Sequence, residues 1–305
     1  DVIGKIENPL EAYSNSSLPE NTVQSKYYDD IKLLQNPDVF IRFQAIGRII
    51  NNTEVIPYLT DTILNSEHRQ FNRDVMECLH YFFTHNQITE KESLSLQKLL
   101  NAKDDEVRII MAHNLGLWEL KECEDALIET LKKDKNGQVR RFALASLSLL
   151  NSQKAIPIVK QLVLTDSCED VRRLGISFLG RTEKEKALDI IIKVLEEDKS
   201  YVVKSVAADA LTYFRDERSL EPLRRAAKSY DVYLKRAAAK ALANLYQIES
   251  IEILIDTMSF RSIDNTDNYG ENIPNYLTRF TGVDFPNSAR FDQSNWKQWF
   301  NENKD

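Results

Sequence analysis

The feature that most constrains this chain is a period. The stretch DEVRIIMAHNLG, residues 105 to 116, returns as GQVRRFALASLS at 137 to 148, as EDVRRLGISFLG at 169 to 180 and as YVVKSVAADAL at 201 to 211, in steps of 32 residues. VYLKRAAAKAL follows with a slip of one residue, and DVFIRFQAIGRI near the amino end is an earlier copy. A fixed period of about 20 to 50 residues marks a repeat architecture, in which each unit is one supersecondary element that buries its apolar face against the next.

The pattern inside a copy says what that element is. Counted from Val107, Val139, Val171, Val203 and Leu234, apolar or small residues fall three, four and eight positions on, as in Ile110, Met111 and Leu115 or Val206, Ala207 and Leu211. That spacing is one face of an α-helix. Asp104, Asn136, Asp170, Ser200 and Asp231 stand just before, types that accept hydrogen bonds from the first free N–H groups of a helix. Each such helix follows another amphipathic segment, among them EVIPYLTDTIL, EDALIETLKK and KALDIIIKVL, and Pro57, Pro157 and Pro222 lie near the start of theirs, where a missing N–H costs little. The repeat is therefore a helical hairpin that cannot bury both faces alone, so neighbours must stack. The predicted fold is all-α, a right-handed α-α superhelix of about six to seven hairpins. With only eight glycines and eight prolines in 305 residues, the composition suits helices joined by short loops.

The D-x-x-V-R-x-x-A-x-x-A-L pattern of the second helices resembles the HEAT repeats, including the bacterial subgroup called lyase-type, over roughly residues 24 to 258. The resemblance implies a solenoid. It also implies a ladder of acidic and basic residues linking successive units, with Asp104, Arg108, Arg140, Arg172, Lys204 and Lys235 as its rungs. The unit at 66 to 90 departs from the pattern, with Phe71-Asn72 where valine and arginine are expected. Such repeats serve many functions, so the resemblance alone leaves the function open.

A second column lies beside the ladder. Residues two, six and ten places after each aligned position should point away from the core, onto the face made by the second helices. They include Arg141, Arg173, Arg181, Tyr213, Arg236, Lys240 and Asn244, a mixed groove suited to a protein or peptide partner with acidic segments, with Tyr213 as an interface anchor. An ordinary solvated helix face is the competing reading of the same residues.

The ends differ from the middle. Residues 1 to 22 hold two prolines and a Ser/Asn cluster without helical period and are expected to form an extended leader; 23 to 258 form the solenoid; 259 to 305 form a polar loop followed by capping helices. Leu277, Thr281, Gly282, Phe285, Trp296 and Trp299 resemble the L-T-G-x-x-F…W-x-x-W ending of many bacterial HEAT-repeat proteins, exported or lipid-anchored ones among them. Trp296, Trp299 and Phe300 make one apolar helix face that can cover the last repeat together with Phe285, with Asp292 or Ser294 as cap and Phe291 as staple. An exported or periplasmic location is favoured over a cytoplasmic one on that resemblance. The chain begins at Asp1, which leaves room for a targeting segment or a lipid anchor outside it, and no run of 18 apolar residues is present to cross a membrane.

Catalytic and metal motifs are missing from the sequence. His68, His80, His85 and His113 form no H-E-x-x-H pair, and no Cys-x-x-Cys, P-loop or G-x-S-x-G occurs. DNTDN at 264 to 268 lacks the residue order of a calcium loop. Cys78, Cys123 and Cys168 read as small buried hydrophobes, and no cofactor or metal is expected. The expectation is a non-enzymatic scaffold or adaptor that binds its partner on the second-helix face, in a bacterial envelope assembly if exported. The alternative is a HEAT-like nucleic-acid or DNA glycosylase-type protein with a basic track, against which a net charge of −7 argues.

Overall fold

The computed structural model describes residues 23–49, 52–64, 66, 69–85, 89–245, 250–258, 272–286, 289 and 292–304. The leader at 1–22, the loop at 259–271, His68 and Phe291 lie outside the described residues, as do the side chains of Cys78 and His85. Among the described residues every regular element is helical. The chain divides at Ile158 and Val159 into two compact units.

The first unit holds the hairpins α1 (Val23–Leu33) with α2 (Val39–Ile49), α3 (Ile56–Leu64) with α4 (Arg69–His85), α5 (Glu90–Leu96) with α6 (Asp105–Leu117), and α7 (Glu124–Lys133) with α8 (Gly137–Leu149). The division falls inside α9 (Ile156–Thr165), whose partner is α10 (Glu169–Thr182). The second unit continues with α11 (Leu188–Glu197) and α12 (Tyr201–Leu211), then α13 (Leu220–Ala227) and α14 (Val232–Leu245), and ends with α15 (Ile251–Thr257), α16 (Asn272–Thr281) and α17 (Gln293–Asn303). These seven hairpins form an α-solenoid.

The second helices are buried more widely than the three-four-eight stripe. Within each unit they pack on neighbouring second helices as well as on first helices, and positions five and seven after the aligned valine are covered too: Ala112, Asn114, Leu144, Ser146, Ile176 and Phe178 are all buried. Small residues at these flanks let the backbones approach. A Cβ built on Gly116 would sit 2.4 Å from the Cα of Ser146, and the Gly116 N–H donates to Ser146 Oγ at 3.2 Å.

Helix starts follow one register. Asp104, Asn136 and Ser200, each three residues before the aligned valine, accept from the N–H of Glu106, Gln138 and Val202 respectively, and Asp231 accepts from Leu234 at 2.8 Å. Asp170 does not belong to this set. The register places Cys168 there, whose side chain makes no capping bond, and Asp170 lies inside the first turn of α10. Cys168 is half-buried rather than buried, whereas Cys123 is fully enclosed and its thiol is pushed up to about 12, chiefly by burial.

Four helices are followed by residues with left-handed backbone, Glu119, Asn151 and Arg215 in register and Lys184 one place later, with φ of 56°, 52°, 53° and 49° respectively. Behind two of them the chain closes on the helix end, Leu120 N–H donating to Leu115 O at 3.1 Å and Ser152 N–H to Leu147 O at 2.9 Å. A side chain in this conformation is strained by about 1–2 kcal/mol. Glu119→Gly is accordingly expected to raise stability, by about 0.5–1 kcal/mol once glycine's extra unfolded-state entropy is counted. Urea unfolding of the two proteins measures it, and a loss of stability would show that Glu119 contributes contacts beyond its backbone.

The residue after each aligned position binds the turn that precedes its own helix. Arg108 Nη1 donates to the carbonyls of Ala102 and Lys103 at 2.7 and 3.1 Å, and Arg140 to those of Asp134 and Lys135 at 2.9 and 3.2 Å. Arg172 donates to Asp166 O at 2.8 Å, and Arg42 repeats the arrangement on Asn36 and Pro37. Arg108 and Arg172 also reach the next repeat, Arg108 Nε to Asp134 Oδ2 at 2.8 Å and Arg172 Nε to Asp198 Oδ2 at 2.7 Å, and Arg42 reaches it through Asp74. The hydrogen bonds to Asp134 and Asp198 hold both guanidinium pKa values above the usual arginine range. The same aspartates fold their own turn, accepting from the N–H two residues on, Asp134 from Asn136 and Asp198 from Ser200, both at 2.8 Å.

Asn72, in the unit that breaks the sequence pattern, occupies the same place. Its amide donates to Ser66 O at 3.3 Å and to Asp104 Oδ2 at 3.0 Å, a neutral donor where its neighbours use a cation. Lys204 donates to Glu196 O at 2.8 Å. Lys235 is half-buried, and desolvation lowers its pKa.

Candidate functional site

Seven residues of the second-helix face were the sequence-based candidates, and the structure divides them. Arg141 belongs to the first unit. Its guanidinium carbon lies 4.6 Å from the centre of the Phe142 ring, which in turn packs at 5.0 Å on His113. Burial, and secondarily the Arg141 charge, hold the His113 pKa below the ordinary histidine value.

The other six lie in the second unit and are not alike. Arg173 is exposed and pairs with Asp170 of its own helix at 3.2 Å. Lys240 of α14 pairs with Asp209 of α12 at 3.1 Å, and Asn244 donates to Lys240 O at 3.0 Å. Arg236 is half-buried on α14. Acidic neighbours thus already answer Arg173 and Lys240.

Arg181 and Tyr213 come together. They line a groove of about 590 Å³ between α10 and α12, whose apolar wall is Ile176, Val206, Ala210 and Phe214. Arg181 and Lys184 stand on its rim with Glu185 and Asp209, and Tyr213 is 82% exposed. The apolar wall was missed in the sequence because Ile176 and Val206 belong to the apolar pattern shared by every copy, and Ile176 is itself buried.

Gly180 supplies the space. Where Gly116 is small because α8 lies against it, a Cβ built on Gly180 would meet nothing within 4 Å. The absent side chain at Gly180 therefore relieves no contact and instead leaves the groove open. Glycine inside a helix costs about 1 kcal/mol relative to alanine, a cost that packing at Gly116 explains and packing at Gly180 does not.

The carboxy-terminal residues build a separate apolar cluster. Trp296 of α17 is fully buried among Ala239 and Ala243 of α14, Ile251, Leu254, Ile255 and Met258 of α15 and its end, and Ile273 and Leu277 of α16. Phe285 meets Trp296 edge-on at 4.8 Å, Trp299 follows at 6.4 Å, and Phe300 packs at the margin. Asp292 accepts from the N–H of Ser294 at 2.9 Å at the start of α17, and Gln293 donates to Ile255 O at 2.8 Å. Gly282, with φ of 73°, ends α16 in the left-handed conformation that glycine adopts freely.

Comparison with known proteins follows the repeat. The profile of HEAT repeats matches residues 93–180, 124–212 and 188–259, overlapping spans that together take in more than half of the chain. The chain belongs to the HEAT-repeat family. Among solved structures, YibA of E. coli is similar to this HEAT-repeat chain over 87% of its length and 100% of YibA, at 18% identity and a TM-score of 0.54, a likeness of fold. The complex of CpcE and CpcF of phycocyanin lyase from Nostoc sp. PCC7120 aligns over 87% of this chain and 97% of that one, at 17% identity and a TM-score of 0.37. No curated protein matches the HEAT-repeat chain in sequence. Among the described residues no helix is long and apolar enough to cross a membrane.

Proposed function

We propose that this HEAT-repeat protein is a non-enzymatic scaffold that binds a peptide segment of a protein partner in the groove between α10 and α12. The observation that carries the reading is the open groove itself: an apolar wall, an exposed tyrosine and two rim cations around a helix position where glycine relieves no contact. A partner would insert an apolar anchor against Val206, Ala210 and Phe214 and set an acidic residue beside Arg181 and Lys184. Tyr213 would close over it, since large rigid aromatics with few rotamers are favoured as interface anchors.

Gly180→Leu tests this, because a Cβ at that position meets nothing within 4 Å and leucine replaces a poor helix former. Peptides selected from a displayed random library against the native protein are expected to lose affinity about tenfold or more on Gly180→Leu, and likewise on Arg181→Glu, with unchanged circular dichroism. Equal affinity for native and Gly180→Leu protein across all selected peptides would overturn the assignment of the groove.

A further inference from the structure

The rungs between repeats show which chemical group the protein places beside the basic residue after each aligned position. At Arg108 and Arg172 it is the carboxylate five residues before the next aligned valine, Asp134 and Asp198. The residue in that place after Lys204 is Ser229, five before Leu234. Ser229 keeps half of the aspartate's work: its Oγ accepts from the N–H of Asp231, two residues on, at 3.1 Å. It has no charge for the other half. Among the described residues Lys204 makes no ion pair, and its ammonium spends one of three donors on Glu196 O.

A cavity of about 260 Å³ opens at this rung, lined by Leu195, Glu196, Tyr201, Lys204, Arg225 and Ser229 among others. The matching notch in the first unit is lined by Arg108 and Asp134, so there the cation is answered from within the chain. The surroundings of the Lys204 cavity are unusual as well. Tyr201 is 55% exposed, Val202 48%, Tyr230 100% and Tyr233 69%, a group of apolar and aromatic side chains held out to solvent at the start of α12 and α14. Scattered exposed apolar residues are ordinary, but several gathered at one place mark an interaction surface.

We infer that the Lys204 cavity is a second docking site, taking an acidic side chain of a partner peptide whose adjoining apolar residues rest on Tyr201, Tyr230 and Tyr233. The partner's carboxylate takes the place that Asp134 and Asp198 hold at their own rungs. The aromatic surround distinguishes a peptide from a free anion, which has nothing to lay on the tyrosines. The site is independent of the groove between α10 and α12.

The test uses the full chain carrying Gly180→Leu, so that the groove is filled. A displayed random peptide library is selected on it, and the recovered peptides are measured on this protein, on Ser229→Asp and on Lys204→Met added to it. Ser229→Asp supplies the missing rung from within, and aspartate at this register already makes the required turn at 134, 166 and 198, the second of these through Asp166 accepting from Cys168 N–H at 2.7 Å. The expected result is a selected motif with an acidic residue beside large apolar ones, bound about tenfold or more weakly after either substitution, and bound within about twofold of normal by Ser229→Ala. Lys204→Met keeps the aliphatic stem, so a loss there reports the charge. Recovery of no peptides, a motif without an acidic position, or binding left unchanged by Ser229→Asp or by Lys204→Met would overturn the inference. A motif retained after Gly180→Leu but lost on Ser229→Asp leaves the groove reading to its own experiment.

Discussion

Trp296→Ala is expected to destabilise the second unit by about 3–5 kcal/mol, the range for emptying a large aromatic site in a packed core. The indole is fully buried among side chains of α14, α15 and α16, and the neighbouring Phe285 and Trp299 meet it edge-on, so they cannot collapse into the space without leaving their own contacts. Hydrogen exchange would place the effect: faster exchange at Leu254 and Ile255 first, then at Ala239 and Ala243, with the first unit unchanged. Removal of residues 292–304 should do the same and expose an apolar surface through which truncated molecules associate. If Trp296→Ala left the α15 amides protected and the protein monomeric, α17 would be an attachment rather than part of the core, and Trp296 and Trp299 would regain interest as a binding feature.

Arg172→Ala should cost a comparable amount, about 3–5 kcal/mol, for a different reason. Arg172 and Asp198 are 3% and 4% exposed, so truncating the arginine removes both guanidinium hydrogen bonds and leaves a carboxylate in a dry place with the Ser200 N–H but no cation. The carbonyl of Asp166 loses its donor as well. The charge comparison is the informative one. Arg172→Met with Asp198→Asn, which removes both charges and keeps an acceptor for the Ser200 N–H, should recover most of the loss, whereas Arg173→Glu, one residue along and exposed, should change stability by about 0.5 kcal/mol or less. Denaturant unfolding of the four proteins gives the answer; a double variant as weak as Arg172→Ala would mean that the turn carbonyl, rather than the ion pair, is what Arg172 chiefly serves.

The repeat made much of this legible. Five helices aligned on one valine column place the core stripe, and with it Arg108, Arg140 and Arg172, because a fixed period forces every copy into the same surroundings. Positions whose role depends on a neighbouring repeat were harder to read. Asn72 looks like a break in the pattern, yet its amide reaches both a turn carbonyl and Asp104, since only the place in the stack matters there and not the charge. Lys240 and Asp209 are 31 residues apart, and nothing in either stretch reveals that they meet. The helix stops at Glu119, Asn151, Lys184 and Arg215 escape notice because three of the four are residue types that seldom adopt a left-handed backbone. The groove escaped for the opposite reason: its wall is made of ordinary apolar residues, and only the space beside Gly180 tells them from core.

One consequence of the double role of the turn aspartates concerns how such a chain can change length. Asp134 and Asp166 each fold the turn that follows them in the same way, through the N–H two residues on. Joining Asp134 directly to Ser167, with the intervening 32 residues gone, would therefore leave Arg108 its acid, leave Arg172 its own at Asp198, and ask no new turn of the backbone. A deletion of any length other than a whole period would break the spacing of 26 residues between Arg108 and the aspartate of the next repeat. The hairpins are thus separable by whole periods, and gene duplication or loss in steps of the period changes the number of repeats while keeping each cation at the same distance along the chain from its acid.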